Sequence, residues 1–206
     1  MQSQNYNNND FNDYRHQSFE ERMEEVELPM MRLAGMPEGA IERHWATFPF
    51  DGQEFRARYF TFGDESKPTL LMTLGFGAAV LQAVLTFKGL AENFRVIAFD
   101  SFSFGANTRM DYCSGLESAE RAEECMLEWY TEFIAAIEHR LPQKFYMFAM
   151  CSGCYPMGLY AAANQDRIEK LFLGSPAGVQ RGPVPSVYEH RVVSHANILP
   201  DRKQVD

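Results

Sequence analysis

The chain has 206 residues, enough for one domain with a sizeable core and short for two. Its 46% hydrophobic and 23% charged content is that of a globular protein and excludes a wholly disordered or collagen-like chain. With 28 acidic against 19 basic residues the net charge is −9, and there is no Lys/Arg-rich run. Nucleic acid and anionic membrane surfaces are therefore not expected partners.

Residues 1–35 are expected to be a disordered polar tail followed by a short acidic helix. The tail, to about residue 18, is rich in Asn, Gln and Asp and has no apolar signal-peptide core. Residues 19–33 carry Glu20, Glu21, Glu24, Glu25 and Glu27, read as a solvated charged face. Four cysteines are too few for a disulfide scaffold, so reduced thiols and an intracellular, cytoplasmic location are expected.

Near residue 41 the texture changes. Two partly alternating segments, 44–50 and 54–62, flank Asp51-Gly52 and predict an antiparallel hairpin. A strand at 69–74, a glycine turn and a helix at 79–92 follow, then a strand at 95–100. Residues 117–140 predict a long amphipathic helix with Met126, Trp129, Tyr130, Phe133, Ile134 and Ile137 on its core face. A strand at 145–150, a helix at 153–164 and a strand at 168–173 complete the pattern. Strands alternating with helices indicate a parallel sheet over residues 41–180, with 181–206 an irregular, Pro-broken tail.

Residues 69–87 and 145–163 are each 19 residues without a formal charge, close to the ~20 of a membrane helix. Glycines interrupt both, and Pro156 the second. Buried strand, glycine turn and buried helix is the better reading, and no transmembrane span is expected.

The segment richest in chemistry is Ala149-Met150-Cys151-Ser152-Gly153, between a buried strand and a helix. A sharp strand-to-helix turn strains its central residue and needs small residues two before and two after. It projects the central side chain at the helix start, where backbone N–H groups can receive an oxyanion. Here Ala149 and Gly153 are the small residues and Cys151 the centre.

Three further segments stand in register with it. They are Leu74-Gly75-Phe76-Gly77-Ala78; the strand ending in Asp100 with Phe104-Gly105-Ala106-Asn107-Thr108-Arg109; and Asp166-Arg167-Ile168 leading into Gly174-Ser175-Pro176-Ala177-Gly178-Val179. Together, over about residues 43–180, they resemble the α/β-hydrolase fold. Within it they are similar to the abhydrolase branch of lysophospholipid acyltransferase-like and lipase-coactivator proteins. The resemblance implies an α/β, doubly wound and mostly parallel sheet of about six strands, incomplete at the C-terminal side. It implies hydrolysis or transfer of an acyl group from a lipid-like ester.

By the same resemblance, an Arg-Val/Ile pair follows the nucleophile by 16 and 17 residues. Counting back from Arg167 and Ile168 reaches Cys151. Ser152 remains the alternative, because some hydrolases use the serine of a Cys-Ser-Gly-Gly-Gly-Pro turn and Pro156 fits that register. The oxyanion hole implied is built from Gly75 and Phe76 and from the N–H of Ser152. Leu74 stands where the family has histidine.

The family's acid and histidine follow later strands, and the 28 residues after Gly178 are too few to build them. His190 and His195 lie in the Pro-broken tail; His16, His44 and His139 precede the turn. The competing expectation is therefore a catalytically inactive hydrolase-fold scaffold that offers its open sheet side to a protein partner. A third is a redox thiol protein built on Cys151-x-x-Cys154. No metal is expected, since Cys113 and Cys125 lack a histidine partner, and Gly75-x-Gly77 is not a dinucleotide fingerprint, so no cofactor is expected either. Trp45 and Trp129 are expected in the core, and Asp100 as a loop-capping residue.

Overall fold

The hairpin forms as the alternation predicts. β1 (Ile41–Phe50) and β2 (Gln53–Phe62) pair antiparallel in unbroken register from Ile41↔Phe62 to Phe50↔Gln53. They turn through Asp51 and Gly52 at φ 47° and 73°, the pair of left-handed residues that matches strand twist. The computed structural model to which they belong describes residues 19–109 and 119–177. The polar tail, His16, Cys113 and everything from Gly178 onward, including His190 and His195, lie outside the described residues.

Four shorter strands complete the sheet: β3 (Thr69–Thr73), β4 (Arg95–Phe99), β5 (Phe145–Met150) and β6 (Ile168–Gly174). Their order is β1-β2-β4-β3-β5-β6. β2 runs against both its neighbours, while β4, β3, β5 and β6 are mutually parallel. This is the mostly parallel, six-stranded α/β sheet that the sequence suggests.

Side-chain alternation divides the core into two layers. On one face Phe55, Ala57, Tyr59, Leu71, Ile97, Phe99 and Met147 meet α3 (Ala119–Ala136) and α4 (Cys154–Ala163). On the other, Phe60, Phe62, Leu70, Met72, Val96 and Ala98 meet the segment 80–91 and the end of α1 (Phe19–Leu33). The α3 face is aromatic. Trp129, fully buried, stacks on Phe102 and Phe133 at 5.3 and 5.5 Å and meets Phe55 edge-on at 5.6 Å.

Four local expectations are corrected. The helix expected at 79–92 is a tight 3-10 stretch, Val80–Thr86, followed by the short α2 (Phe87–Ala91). β-branched Val80, Val84 and Thr86 disfavour a regular helix there. The long helix ends at Ala136 rather than near 140, with a 3-10 turn at Glu138–Arg140 leading to β5.

The third correction concerns charge. Glu27 does not belong to a solvated acidic face: it is buried and bonds the buried Arg58 of β2. Arg43 reaches the same carboxylate at 3.6 Å. Nor is Trp45 a core residue. It is half-buried, with the guanidinium groups of Arg56 and Arg58 at 4.4 and 4.3 Å from its ring. Trp129→Ala is expected to cost about 3–5 kcal/mol, because the hole it leaves is walled by rings that cannot collapse. Urea unfolding measures it.

Candidate functional site

Cys151, not Ser152, occupies the strained centre of the turn after β5. Its φ is +52°, while Met150 before it is extended and Cys154 after it helical. A left-handed non-glycine residue costs about 1–3 kcal/mol and persists only where its neighbours hold it. A 3-10 turn, Cys151–Gly153, carries the chain into α4. Pro156 therefore falls in the first turn of α4, where a missing N–H breaks no helical bond, and it does not discriminate between the two registers.

Small residues make the geometry possible. A Cβ on Gly75 would lie 2.6 Å from Cys151 Cβ, 3.1 Å from Ser152 N and 3.2 Å from Cys151 Sγ. A Cβ on Gly153 would lie 2.4 Å from the Leu74 carbonyl oxygen. The loop after β3 and the turn after β5 are thus pressed together at two glycines. The contact brings Gly75 to the Cys151 side chain and to the Ser152 amide. The Cys151 thiol is exposed, and the Cys151 carbonyl accepts the Ala177 N–H at 3.1 Å, tying in the turn after β6.

The surroundings are apolar on the solvent side. Phe76 is 73% exposed and meets Phe104 edge-on at 5.1 Å; Met150, next to the thiol, is 44% exposed. Leu74, in place of a histidine, is buried in the core and leaves the loop backbone as the donor surface.

Cys154 points away from this surface. Its thiol is buried and lies 3.2 Å from the Ala149 carbonyl and 3.5 Å from that of Gly174, so it faces the strands beneath. Burial pushes it up from the ordinary thiol range. Both cysteines are free.

Asp100 is the most perturbed carboxyl of the site region. Burial pushes it up to about 6, against bonds from the Val80 and Ala106 N–H groups at 2.7 and 3.1 Å. Glu27 adds to the rise and Arg58 opposes it. Gly105 packs so closely that a Cβ there would sit 1.9 Å from Asp100 Oδ2. Asp100 holds the loop after β4 to the 3-10 stretch at Val80, the capping role its place in the sequence suggested.

The two histidines among the described residues lie away from this turn. His44 Nε2 contacts Thr61 Oγ1 at 2.8 Å; burial and then Arg140 lower its pKa. His139 lies in the turn before β5, at the end of that strand opposite Cys151.

A buried trio that sequence reasoning did not single out lies beneath the loop. Thr73, Ser101 and Tyr130 join their hydroxyls there; Thr73 Oγ1 and Ser101 Oγ are 2.9 Å apart. Burial raises the Tyr130 phenol to about 12 against hydrogen bonds with Ser101 and Thr73. Thr73 at a strand end and Ser101 just past one are ordinary residues in sequence; their meeting depends on β3 and β4 being parallel neighbours that end in register.

No family model matches the chain. It is similar to a protein of Oryza sativa subsp. japonica named a probable 1-acylglycerol-3-phosphate O-acyltransferase, 28% identical over 148 residues. It is also similar to the 1-acylglycerol-3-phosphate O-acyltransferase of Arabidopsis thaliana, 30% identical over 114 residues. The matches take in 72% and 55% of this chain, but the chain spans only 34% and 26% of those relatives. Among solved structures, a bacterial membrane phospholipase A superposes with a TM-score of 0.62 and 23% identity, covering 84% of this chain and 50% of that one. The chain has the α/β-hydrolase fold.

Among the described residues, no helix is long and apolar enough to cross a membrane. The buried Asp100 gives a pH test. Its folded-state value lies above the ordinary 3.8, so the protonated carboxyl stabilises the fold, and that contribution is lost as pH rises from about 4 to about 6. Asp100→Asn cannot titrate. Against it, the wild-type advantage is expected to shrink over that window by up to about 3 kcal/mol, read from urea unfolding at each pH.

Proposed function

We propose that this chain carries the nucleophile side of an acyl-transfer site acting on a lipid-like acyl ester. Cys151 is the attacking group, and the backbone N–H groups of Phe76 and Ser152 receive the oxyanion, with Gly75 allowing their approach. The observation that carries the reading is the left-handed Cys151, φ +52°, pressed against Gly75 at the start of α4. That posture is costly, and it turns an exposed thiol toward loop amides rather than into the core. Ser152 is not among the residues with a positive φ.

Three observations support the substrate class. Phe76, next to Gly75 in the loop after β3, and Met150, the chain neighbour of Cys151, are exposed apolar side chains suited to a hydrocarbon chain. The fold is shared with a phospholipase. The names of the two plant relatives point toward an acyl acceptor that is an acylglycerol phosphate. In the reaction, Cys151 Sγ bonds to the ester carbonyl carbon as its proton passes to a base. The alcohol leaves protonated, and the acyl-thioester passes to water or to an acceptor hydroxyl. The base comes from outside the described residues, since His44 is bonded to Thr61 and His139 lies at the opposite end of β5. Free thiols at Cys125, Cys151 and Cys154 favour a site inside the cell. The exposed edge at β6, with Phe172 45% exposed, is where a protein partner would attach.

Turnover of p-nitrophenyl butyrate tests the reading. Cys151→Ala is expected to lower it about 100-fold or more, and Ser152→Ala, which keeps its N–H, by less than about threefold. The reverse ranking moves the nucleophile to Ser152. A folded wild type with no turnover above free thiol overturns the enzyme reading in favour of the interaction protein.

A further inference from the structure

A side-chain anchor of the loop after β3 comes from the buried trio. Ser101 Oγ donates to the Leu74 carbonyl at 2.8 Å, and Thr73 Oγ1 donates to the Phe99 carbonyl at 3.0 Å. Those two bonds use both hydroxyl hydrogens, so the 2.9 Å contact between Thr73 and Ser101 is left without one. The Tyr130 phenol of α3 adjoins the same two hydroxyls. If Thr73 instead donates to Ser101, Ser101 still donates to Leu74, and in both arrangements it is the side-chain donor to that carbonyl.

That carbonyl is the point where loop and turn meet. A Cβ on Gly153 would come within 2.4 Å of it, so it is held between the Ser101 hydroxyl and the backbone of the turn. Because a peptide unit is planar, fixing the Leu74 C=O fixes the direction of the Gly75 N–H. One residue further on is the Phe76 N–H. The intervening Gly75 has no Cβ and is the most permissive link in the loop. The Gly75 carbonyl, in the same peptide unit as the Phe76 N–H, accepts the Ala78 N–H at 3.2 Å, so this small turn moves as a unit about Gly75 and the anchor at Leu74 sets where it is held.

We infer that Ser101 is a positioning residue for the oxyanion-binding loop, acting through the Leu74 carbonyl. The inference rests on the acyl-transfer reading of the site. It separates two kinds of chemistry at Cys151. When p-nitrophenyl acetate acylates the thiolate, the S–C bond forms, the carbonyl electron pair moves onto oxygen, and collapse expels p-nitrophenolate; the thiol proton has gone to buffer. When iodoacetamide alkylates the same thiolate, S–C bonding expels iodide and no oxyanion forms. Only acylation needs the loop amides.

The test is the ratio of these two rates at Cys151, followed on the full chain by peptide mass mapping. In Ser101→Ala the ratio is expected to fall about tenfold or more, with alkylation within about twofold of wild type. Ser101→Cys, close in size with a weak donor, keeps the measurement available if the alanine variant does not fold, and it is expected to lower the ratio too. Thr73→Val loses the bond to Phe99 but keeps Ser101 on Leu74, so its ratio is expected to hold even where its melting temperature drops. An unchanged ratio in both Ser101 variants overturns the inference, as does an equal fall in Thr73→Val, which would mark general loosening. A wild-type ratio no higher than that of N-acetylcysteine overturns the acyl-transfer reading itself. A high wild-type ratio that Ser101 does not move leaves that reading standing.

Discussion

A backbone twisted to positive φ at Cys151 is the constraint around which this end of the molecule is arranged. Nothing at Cys151 itself makes the left-handed conformation comfortable; it is imposed by its neighbours. Two strands must end side by side, and the residues facing the turn must have no side chains. Gly75 and Gly153 meet that requirement from opposite sides, one leaving room for the thiol and the other for the Leu74 carbonyl. The turn after β6 adds the Ala177 bond to Cys151 O, so three loops converge on one residue. The convergence at the carboxyl ends of parallel strands is where an open α/β sheet has its crevice.

Behind this turn the protein keeps an unusual amount of polar material buried. Asp100, Glu27 and Arg58 lie on one side of the sheet, and Thr73, Ser101 and Tyr130 carry a second cluster toward α3. A buried pair such as Glu27–Arg58 adds little net stability, because desolvation offsets attraction. Its value is geometric: α1 has one position on β2 that satisfies both groups. The Asp100 cluster acts likewise on loops. Val80 and Ala106 come from opposite sides of the chain to one carboxyl, which sets the distance between the 3-10 stretch and the loop after β4.

Most of the fold was legible in the sequence because its cues are local. Alternation, Asp51-Gly52 and strand–glycine–helix succession identify the hairpin, the parallel strands and the turn at Cys151 without tertiary information. The glycines of the loop were legible as well, as parts of a pattern in register. What stayed hidden depends on contacts between distant segments. Glu27 looks like its neighbours Glu24 and Glu25 until Arg58 is placed opposite it. Trp45 looks like core until two arginines from β2 cover it. Ser101 and Thr73 carry no pattern at all; their juxtaposition follows from β3 and β4 being parallel neighbours, whose last residues Thr73 and Phe99 pair in register. The 3-10 stretch was missed because Val80, Leu81 and Val84 have the spacing of a buried helix, and spacing does not report which hydrogen-bond ring closes.

The sheet also keeps two chemically different interiors apart. Its α3 face is packed with stacked rings, while its α1 face is mainly aliphatic, and alternate residues of the same strand serve one or the other: Ile97 and Phe99 against Val96 and Ala98. Neighbours in the chain thus belong to separate solids joined only through the backbone. Rigid aromatic packing resists reshaping, whereas flexible side chains such as Met30, Met31 and Met72 can refill a changed volume. Volume-changing substitutions are accordingly cheaper on the side of α1 than in the aromatic wall of α3 and α4 that supports the thiol-bearing turn.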